Sequence, residues 1–214
     1  MKYEKIQTLW KRDPEKKYSI MIGEYSKPEF SQIKEWVLTE KIDGMNIRVI
    51  YNKEGVRFAG RTDNAHIPVS LFEMLTKTFT IEKLSSVFDL EKANEIILYG
   101  EGYGPKIQKG GNYRKDQSFI LFDVLIDGIW FDVEPVSTFA YELGVDSIPV
   151  WGRGTIKSIE RLIRTKPRSS LEGSSCNIEG FVCRTDPLLL DRFGNRVVWK
   201  LKVKDFEQLE ERET

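Results

Sequence analysis

The sequence predicts a mixed α+β fold, with antiparallel β-sheets flanked by helices. Three observations predict it. Strand-like segments outnumber helix-like ones, many of them join through short turns, and several are runs rich in apolar and aromatic residues. A doubly wound parallel sheet fits this pattern less well.

The elements follow in order. Residues 26–37, SKPEFSQIKEWV, read as a short helix with Pro28 near its first turn. Residues 45–61 read as a hairpin. Ile47, Val49 and Tyr51 alternate with Asn46, Arg48 and Ile50, and NKEG makes the turn. Residues 68–79 look helical, with Leu71, Phe72, Leu75 and Phe79 on one side. EIILYGEGYG and SFILFDVLIDGIWF are strands. VSTFAYELG is a helix closed by Gly144, and IKSIERLIRTKP is a helix stopped by Pro167. NIEGFVCRT and NRVVWKLKV are strands, and DFEQLEERET is a short terminal helix. There is no internal repeat and no low-complexity linker.

A chain of 214 residues suits one large domain or two small ones, with ample core. The formal net charge is zero, so any nucleic-acid binding rests on a local basic surface. Cys176 and Cys183 form no metal-ligand pattern, and His66 is far from both in sequence. Reduced thiols and a cytoplasmic setting are expected. No segment resembles a signal peptide or is long enough to span a bilayer.

Lys41 opens the pattern K-x-D-G with Asp43 and Gly44. A lysine amine attacks only when neutral, and an ordinary one is almost wholly charged at neutral pH. Burial or a neighbouring cation frees its lone pair, and a glycine lets a ligand approach the backbone closely. A solvated lysine beside a turn aspartate is the plainer reading. In VVWKLKVKDF, Trp199, Leu201 and Val203 fall on one strand face and Lys200, Lys202 and Lys204 on the other. Cations so aligned suit a polyphosphate; a half-exposed strand with a solvated lysine face suits the same pattern. Glu101 sits between glycines at a strand end, Glu179 precedes Gly180, and Asp123 lies within an apolar run. Acids at strand ends can organise magnesium and its waters, or simply serve turns. GPKIQKGGNYRK, residues 104–115, offers Lys106, Lys109, Arg114 and Lys115 to phosphates and Tyr113 to a base, or is a solvated loop. RLIRTKPR is a second basic patch, and His66 reads as structural.

Taken singly these signals are weak; as an ordered set they are strong. The set K-x-D-G-x-N, then an acid after a strand, then Phe–Asp, then E-G, then K-x-K resembles the covalent nucleotidyltransferases. It is most similar to the phage-type, nick-sealing ATP-dependent RNA ligases, over roughly residues 39–204. The resemblance implies a nucleotidyltransferase, ATP-grasp-like core of antiparallel sheets. It implies that Lys41 attacks the α-phosphorus of ATP and carries AMP. The AMP passes to a 5′-phosphate, and a 3′-hydroxyl then closes the strand. Lys200 and Lys202 are expected to act with Lys41 as the catalytic set. Glu40, Ile42, Asn46, Arg48, Arg61, Glu101, Phe122 and Glu179 join these lysines around the nucleotide, with Phe122 stacked on adenine. Asn46 and Arg61 are assigned to the later steps. Asp43, Glu101 and Glu179 are expected to hold magnesium or manganese, partly through water. The expected partners are RNA ends or a nicked duplex, with no membrane, and the expected state is a monomer.

The resemblance also sets a domain expectation. Residues 1–214 form one adenylyltransferase domain, with 1–38 as an extension packed on the core. No OB or helical domain follows the K-x-K motif. A minimal DNA ligase and a non-catalytic binder of nucleic-acid ends are the competing readings; Asn46 and Arg61 favour RNA.

Overall fold

Strand periodicity dominates the chain, and the computed structural model, which describes residues 1–108 and 112–213, turns it into sheets. In chain order the elements begin with β1 (Gln7–Thr8), β2 (Trp10–Asp13), β3 (Ser19–Tyr25), a 3-10 turn (Pro28–Gln32) and β4 (Trp36–Lys41). Next come β5 (Met45–Asn52), β6 (Gly55–Gly60), α1 (Val69–Thr78), α2 (Ile81–Ser85), β7 (Glu95–Tyr103), β8 (Ser118–Ile126) and β9 (Ile129–Trp130). The chain continues through α3 (Val133–Leu143), β10 (Asp146–Ser147), β11 (Val150–Gly154) and α4 (Ile156–Arg164). It closes with β12 (Gly180–Arg184), β13 (Val198–Lys202) and α5 (Val203–Glu213). The fold is mixed α+β with mainly antiparallel sheets, as the sequence predicts; β1–β13 and β8–β10 pair in parallel.

Two compact units form. The first comprises Met1–Glu4 and Asp43–Ile148. Its sheet runs β10-β8-β7-β5-β6, with β9 on β8. The expected hairpin is β5–β6, where Asn52 faces Gly55 and the Asn52 side chain accepts from the Glu54 amide. One sheet face, with Ile47, Val49 and Leu98, is buried against Leu71 and Leu75 of α1 and Val136 of α3. Phe72 departs from expectation. It lies 46% exposed, its ring edge-on to Phe58, because Leu71, Leu75 and Phe79 at fourfold spacing already define the buried stripe. On the other face, Ile50, Ile97, Tyr99 and Leu125 pack with Tyr3, Phe122 and Trp130.

The second unit comprises Lys5–Ile42 and Pro149–Thr214. Its sheet runs β1-β13-β12-β4-β11, and β2–β3 form a separate two-stranded ribbon. Trp36, Leu38, Phe181, Trp199 and Leu201 share a core with Ile159 and Ile163 of α4 and Phe206 of α5. The helix expected over 26–37 is only the turn at Pro28–Gln32. Trp36 is 1% exposed, packed between Phe30 and Trp199, so WVLT is taken by a strand buried almost end to end. Among the described residues, no helix is long and apolar enough to cross a membrane.

Candidate active site

Strand alternation decides which side chains can meet. On β4, Trp36, Leu38 and Glu40 point one way, and Val37, Thr39 and Lys41 point the other. Gly180 of β12 stands opposite both Lys41 on β4 and Lys202 on β13, and Val182 stands opposite Thr39 and Lys200. Lys41, Lys200 and Lys202 therefore share one face of the sheet in the second unit. The apolar set of Trp199, Leu201, Phe181 and Leu38 occupies the other, as the sequence predicts for β13. Lys204 does not join the row. The strand ends at Lys202 and Lys204 lies exposed on α5. Asp205 ends it, because its carboxylate accepts from the Lys202 amide at 3.0 Å, one half of a capping box.

Glu179 links the lysines. Its Oε2 takes the Lys41 ammonium, and its Oε1 takes that of Lys202 at 2.5 Å. Its backbone is tied down as well, since the Val203 amide donates to the Glu179 carbonyl at 2.9 Å. Burial raises the Glu179 carboxyl, but the charges and hydrogen bonds of Lys41 and Lys202 outweigh burial and hold it below the ordinary glutamate range. Gly180 makes the arrangement possible. A Cβ there would lie 2.0 Å from the Leu201 carbonyl oxygen and 2.8 Å from the Lys202 Cα.

Glu40 is placed differently from the expectation. It is on the core face, 1% exposed, away from the Lys41 side. The Ser169 hydroxyl donates to its Oε1 at 2.5 Å. The Trp151 indole and both the amide and hydroxyl of Ser170 donate to Oε2, at 3.1, 2.9 and 2.9 Å. Its lone pairs serve the protein, pinning segment 169–170 to β4. Ile42 is buried, at 3% exposure.

The first unit holds the remaining predicted residues. Asn46 and Glu101 are direct cross-strand partners on β5 and β7, so they share a face. Gly44 packs so closely on β7 that a Cβ would lie 2.3 Å from the Gly102 carbonyl oxygen and 2.8 Å from the Glu101 Cγ. The Asn46 Oδ1 is buried and accepts no hydrogen bond among the described residues. Asp43 is half-buried and Arg61 is exposed on the turn after β6. Arg48 departs from expectation: it is 2% exposed and its contacts are to protein, with the Gly60 carbonyl at 2.8 Å, Asp63 Oδ1 at 2.6 Å and the Met1 carbonyl at 3.3 Å. A register shift pairs Tyr99 with Asp123 and Gly100 with Leu121, which leaves Phe122 as the extra, bulged residue. Phe122 and Asp123 both meet Tyr3: the rings of Tyr3 and Phe122 are 5.1 Å apart, and the Tyr3 hydroxyl donates to Asp123 Oδ2 at 2.5 Å.

No group of three His, Cys, Asp or Glu side chains suited to a metal occurs among the described residues. Both oxygens of Glu179 hold lysines. Magnesium keeps most of its waters and takes one or two carboxylates, so it needs no such group.

The 104–115 loop is also corrected. Tyr113 is buried at 2%, edge-on to Tyr103, and offers no face to a base. Arg114 is engaged by Asp116 at 2.8 Å and Asp146 at 3.4 Å. Lys106 and Lys115 are exposed, and Lys109 lies outside the described residues. In the second basic patch, Arg164 stacks on Phe206 and Lys166 pairs with Glu207. His66 is exposed. Sequence reasoning missed Trp151, Ser169 and Ser170, which nothing near Glu40 in sequence marks. It also missed Asp205, whose spacing three residues after Lys202 was the available signal.

Solved structures of the RNA ligase from Naegleria gruberi resemble the chain at low identity, which shows a shared fold. A mutant with ATP and Mn matches at 16% identity and TM-score 0.67, covering 100% of this chain and 58% of that one. An apo mutant matches at 16% and 0.63, covering 87% and 55%. The ligase with PPi matches at 16% and 0.63, covering 97% and 62%. The chain thus spans little more than half the length of the structures it matches. A family model described as RNA ligase matches residues 34–202, and on that match the chain belongs to the RNA ligase family.

Proposed function

We propose that this chain is the catalytic core of an ATP-dependent RNA ligase that joins 5′-phosphate and 3′-hydroxyl ends through a lysyl-AMP intermediate. The observation that carries the reading is the row of Lys41, Lys200 and Lys202 on one sheet face, with Glu179 bridging Lys41 and Lys202. The family match supports RNA as the substrate. Structures of the similar ligase with ATP and Mn, and with AMP and Mn, support ATP and a divalent cation.

In the first step the Lys41 ammonium gives a proton to solvent water, and the lone pair of its Nζ bonds to the α-phosphorus of ATP. The bond from that phosphorus to the bridging oxygen breaks, and pyrophosphate leaves with the electron pair. Lys41 must first part from Glu179. An anionic triphosphate arriving beside Lys200 and Lys202 gives Lys202 a competing partner and loosens the bridge. Magnesium or manganese, when bound by Glu101, Glu179 or Asp43 through water, supplies positive charge to the phosphates. In the second step a 5′-phosphate oxygen attacks the same phosphorus and releases Lys41. In the third, a 3′-hydroxyl attacks the 5′-phosphorus and AMP leaves. Lys200 and Lys202 neutralise phosphate charge throughout, and the work of the protein is positioning. Phe122 is assigned to adenine, with Tyr3 as its neighbour, and Asn46 and Arg61 to the polynucleotide end. Ile42 supports the nucleotide from the core and Glu40 does so through segment 169–170. The setting proposed is cytoplasmic, with Cys176 and Cys183 kept as thiols.

The test is sealing of a nicked duplex with ATP and magnesium, the 3′-hydroxyl strand being RNA or DNA. The expected result is sealing of the RNA strand well above the DNA strand. Equal rates identify a DNA-competent ligase, and no sealing alongside tight end binding identifies a binder.

A further inference from the structure

A fully buried arginine is costly unless its donors are answered, and Arg48 is answered mainly by one short turn. Its Nε donates to the Gly60 carbonyl at 2.8 Å and its Nη2 to Asp63 Oδ1 at 2.6 Å, while Nη1 reaches the Met1 carbonyl at 3.3 Å. Gly60 ends β6 and Asp63 lies three residues on, so one guanidinium grips both ends of the turn. The turn is folded on itself by the Ala65 amide donating to the Thr62 carbonyl at 3.2 Å. Between the gripped ends stands Arg61, exposed. Asp63 itself is half-exposed, with Arg57 3.9 Å away and Arg48 as its close partner. The Arg48 hydrogen bond holds the Asp63 carboxyl below the ordinary aspartate range, so it is charged at working pH.

We infer that Arg48 and Asp63 form a clamp that positions Arg61 for the RNA end. Asp63 is then a positioning residue acting through Arg61. The inference rests on the ligase reading for what Arg61 touches. It differs from the role first expected of Arg48, which spends its donors on the turn rather than on the nucleotide.

Arg61 carries five donors in a rigid fork, and their value to a phosphate depends on aim. A shift of about 1 Å in a positioning group can cost up to about a hundredfold in rate. Removing the Asp63 carboxylate frees one end of the turn and leaves Arg48 short of one acceptor.

The experiment compares wild type, Asp63→Ala, Arg61→Ala and the double variant in two assays. One is labelling of Lys41 by ATP. The other is phosphodiester formation on a nicked duplex carrying a pre-adenylylated 5′-end. Asp63→Ala is expected to label within about twofold of wild type and to join about tenfold more slowly. In the Arg61→Ala background, adding Asp63→Ala is expected to change joining by less than about twofold, because coupled residues are not additive. Asp63→Asn keeps an acceptor oxygen toward Arg48 and loses the charge; a smaller loss in the same direction is expected, and it replaces Asp63→Ala should that variant misfold. Effects that multiply, or labelling that falls as far as joining, overturn the clamp while leaving the ligase reading intact. A wild type that neither labels nor joins overturns both.

Discussion

Glu179 is the residue on which charge at the proposed site turns. Its carboxylate lies between two ammonium groups and is mostly buried, so removing its charge leaves two cations facing each other. Glu179→Gln is expected to lower stability by about 1–3 kcal/mol at neutral pH. Because the folded carboxyl titrates below its ordinary value of 4.5, its contribution is present above that value and is lost as pH falls through the lower folded value. Denaturant unfolding from pH 6 down to pH 3 should therefore show the two proteins converging at the acid end; a gap that stays constant or widens contradicts the bridge. The cysteines give a second check. Burial pushes the Cys183 thiol well up, whereas Cys176 is half-buried beside the Ser174 hydroxyl. A disulfide reagent on the native protein should modify one thiol quickly and the second only on unfolding. Two thiols reacting at one rate would show that β12 is not buried as described.

At the scale of elements, the β12–β13 pair sets the site. A methyl at Gly180 has no room against the Leu201 carbonyl, so Gly180→Ala must push β12 from β13 and carry Glu179 away from Lys202. The expected outcome is a loss of about 2 kcal/mol or more in stability, with near-complete loss of sealing. Thr155→Ala, by contrast, removes the α4 cap, with its contacts to the Ser158 amide and hydroxyl, and should cost about 1 kcal/mol with sealing unchanged. A calorimetric scan and a sealing assay on both variants separate the two, and similar behaviour would contradict the special place of Gly180. The strands and their faces were legible in the sequence where alternation was regular. Ile47, Val49 and Tyr51 announced β5, and Trp199 with Leu201 announced β13. The segment 26–37 misled because Pro28 suits a helical first turn, while its end belongs to a strand whose burial comes from distant Phe181 and Trp199. The short strands β1, β10 and β11 exist through pairing with distant partners, and two to five residues carry too little pattern to reveal that.

For the molecule as a whole, the sequence showed the cluster of cations more fully than the fate of each polar group. The order of K-x-D-G, Glu101, Phe122–Asp123, Glu179 and K-x-K pointed to one chemistry, and Lys41, Lys200 and Lys202 do share a face. Sequence order carries no information on which side of a strand pairing a donor set lies. Glu40, one residue from Lys41, therefore went to Trp151, Ser169 and Ser170, and Arg48 went to the turn at 60–63. Tyr113 was similarly illegible, because an aromatic in a basic loop looks the same whether it faces solvent or Tyr103. With zero net charge, the proposed grip on RNA would rest on local cations, and its salt dependence should be modest: a slope of log affinity against log salt of about −0.7 for each single-strand phosphate contacted. The proposed chemistry stands or falls on Lys41 carrying AMP. Its most direct test is incubation of the protein with magnesium and ATP labelled at the α-phosphate, followed by denaturing electrophoresis, with Lys41→Ala and labelled GTP alongside. The expected result is a label from ATP that survives denaturation, is released by mild acid and is absent from Lys41→Ala. A label of the same strength on Lys41→Ala, or none on a folded wild type, would contradict it.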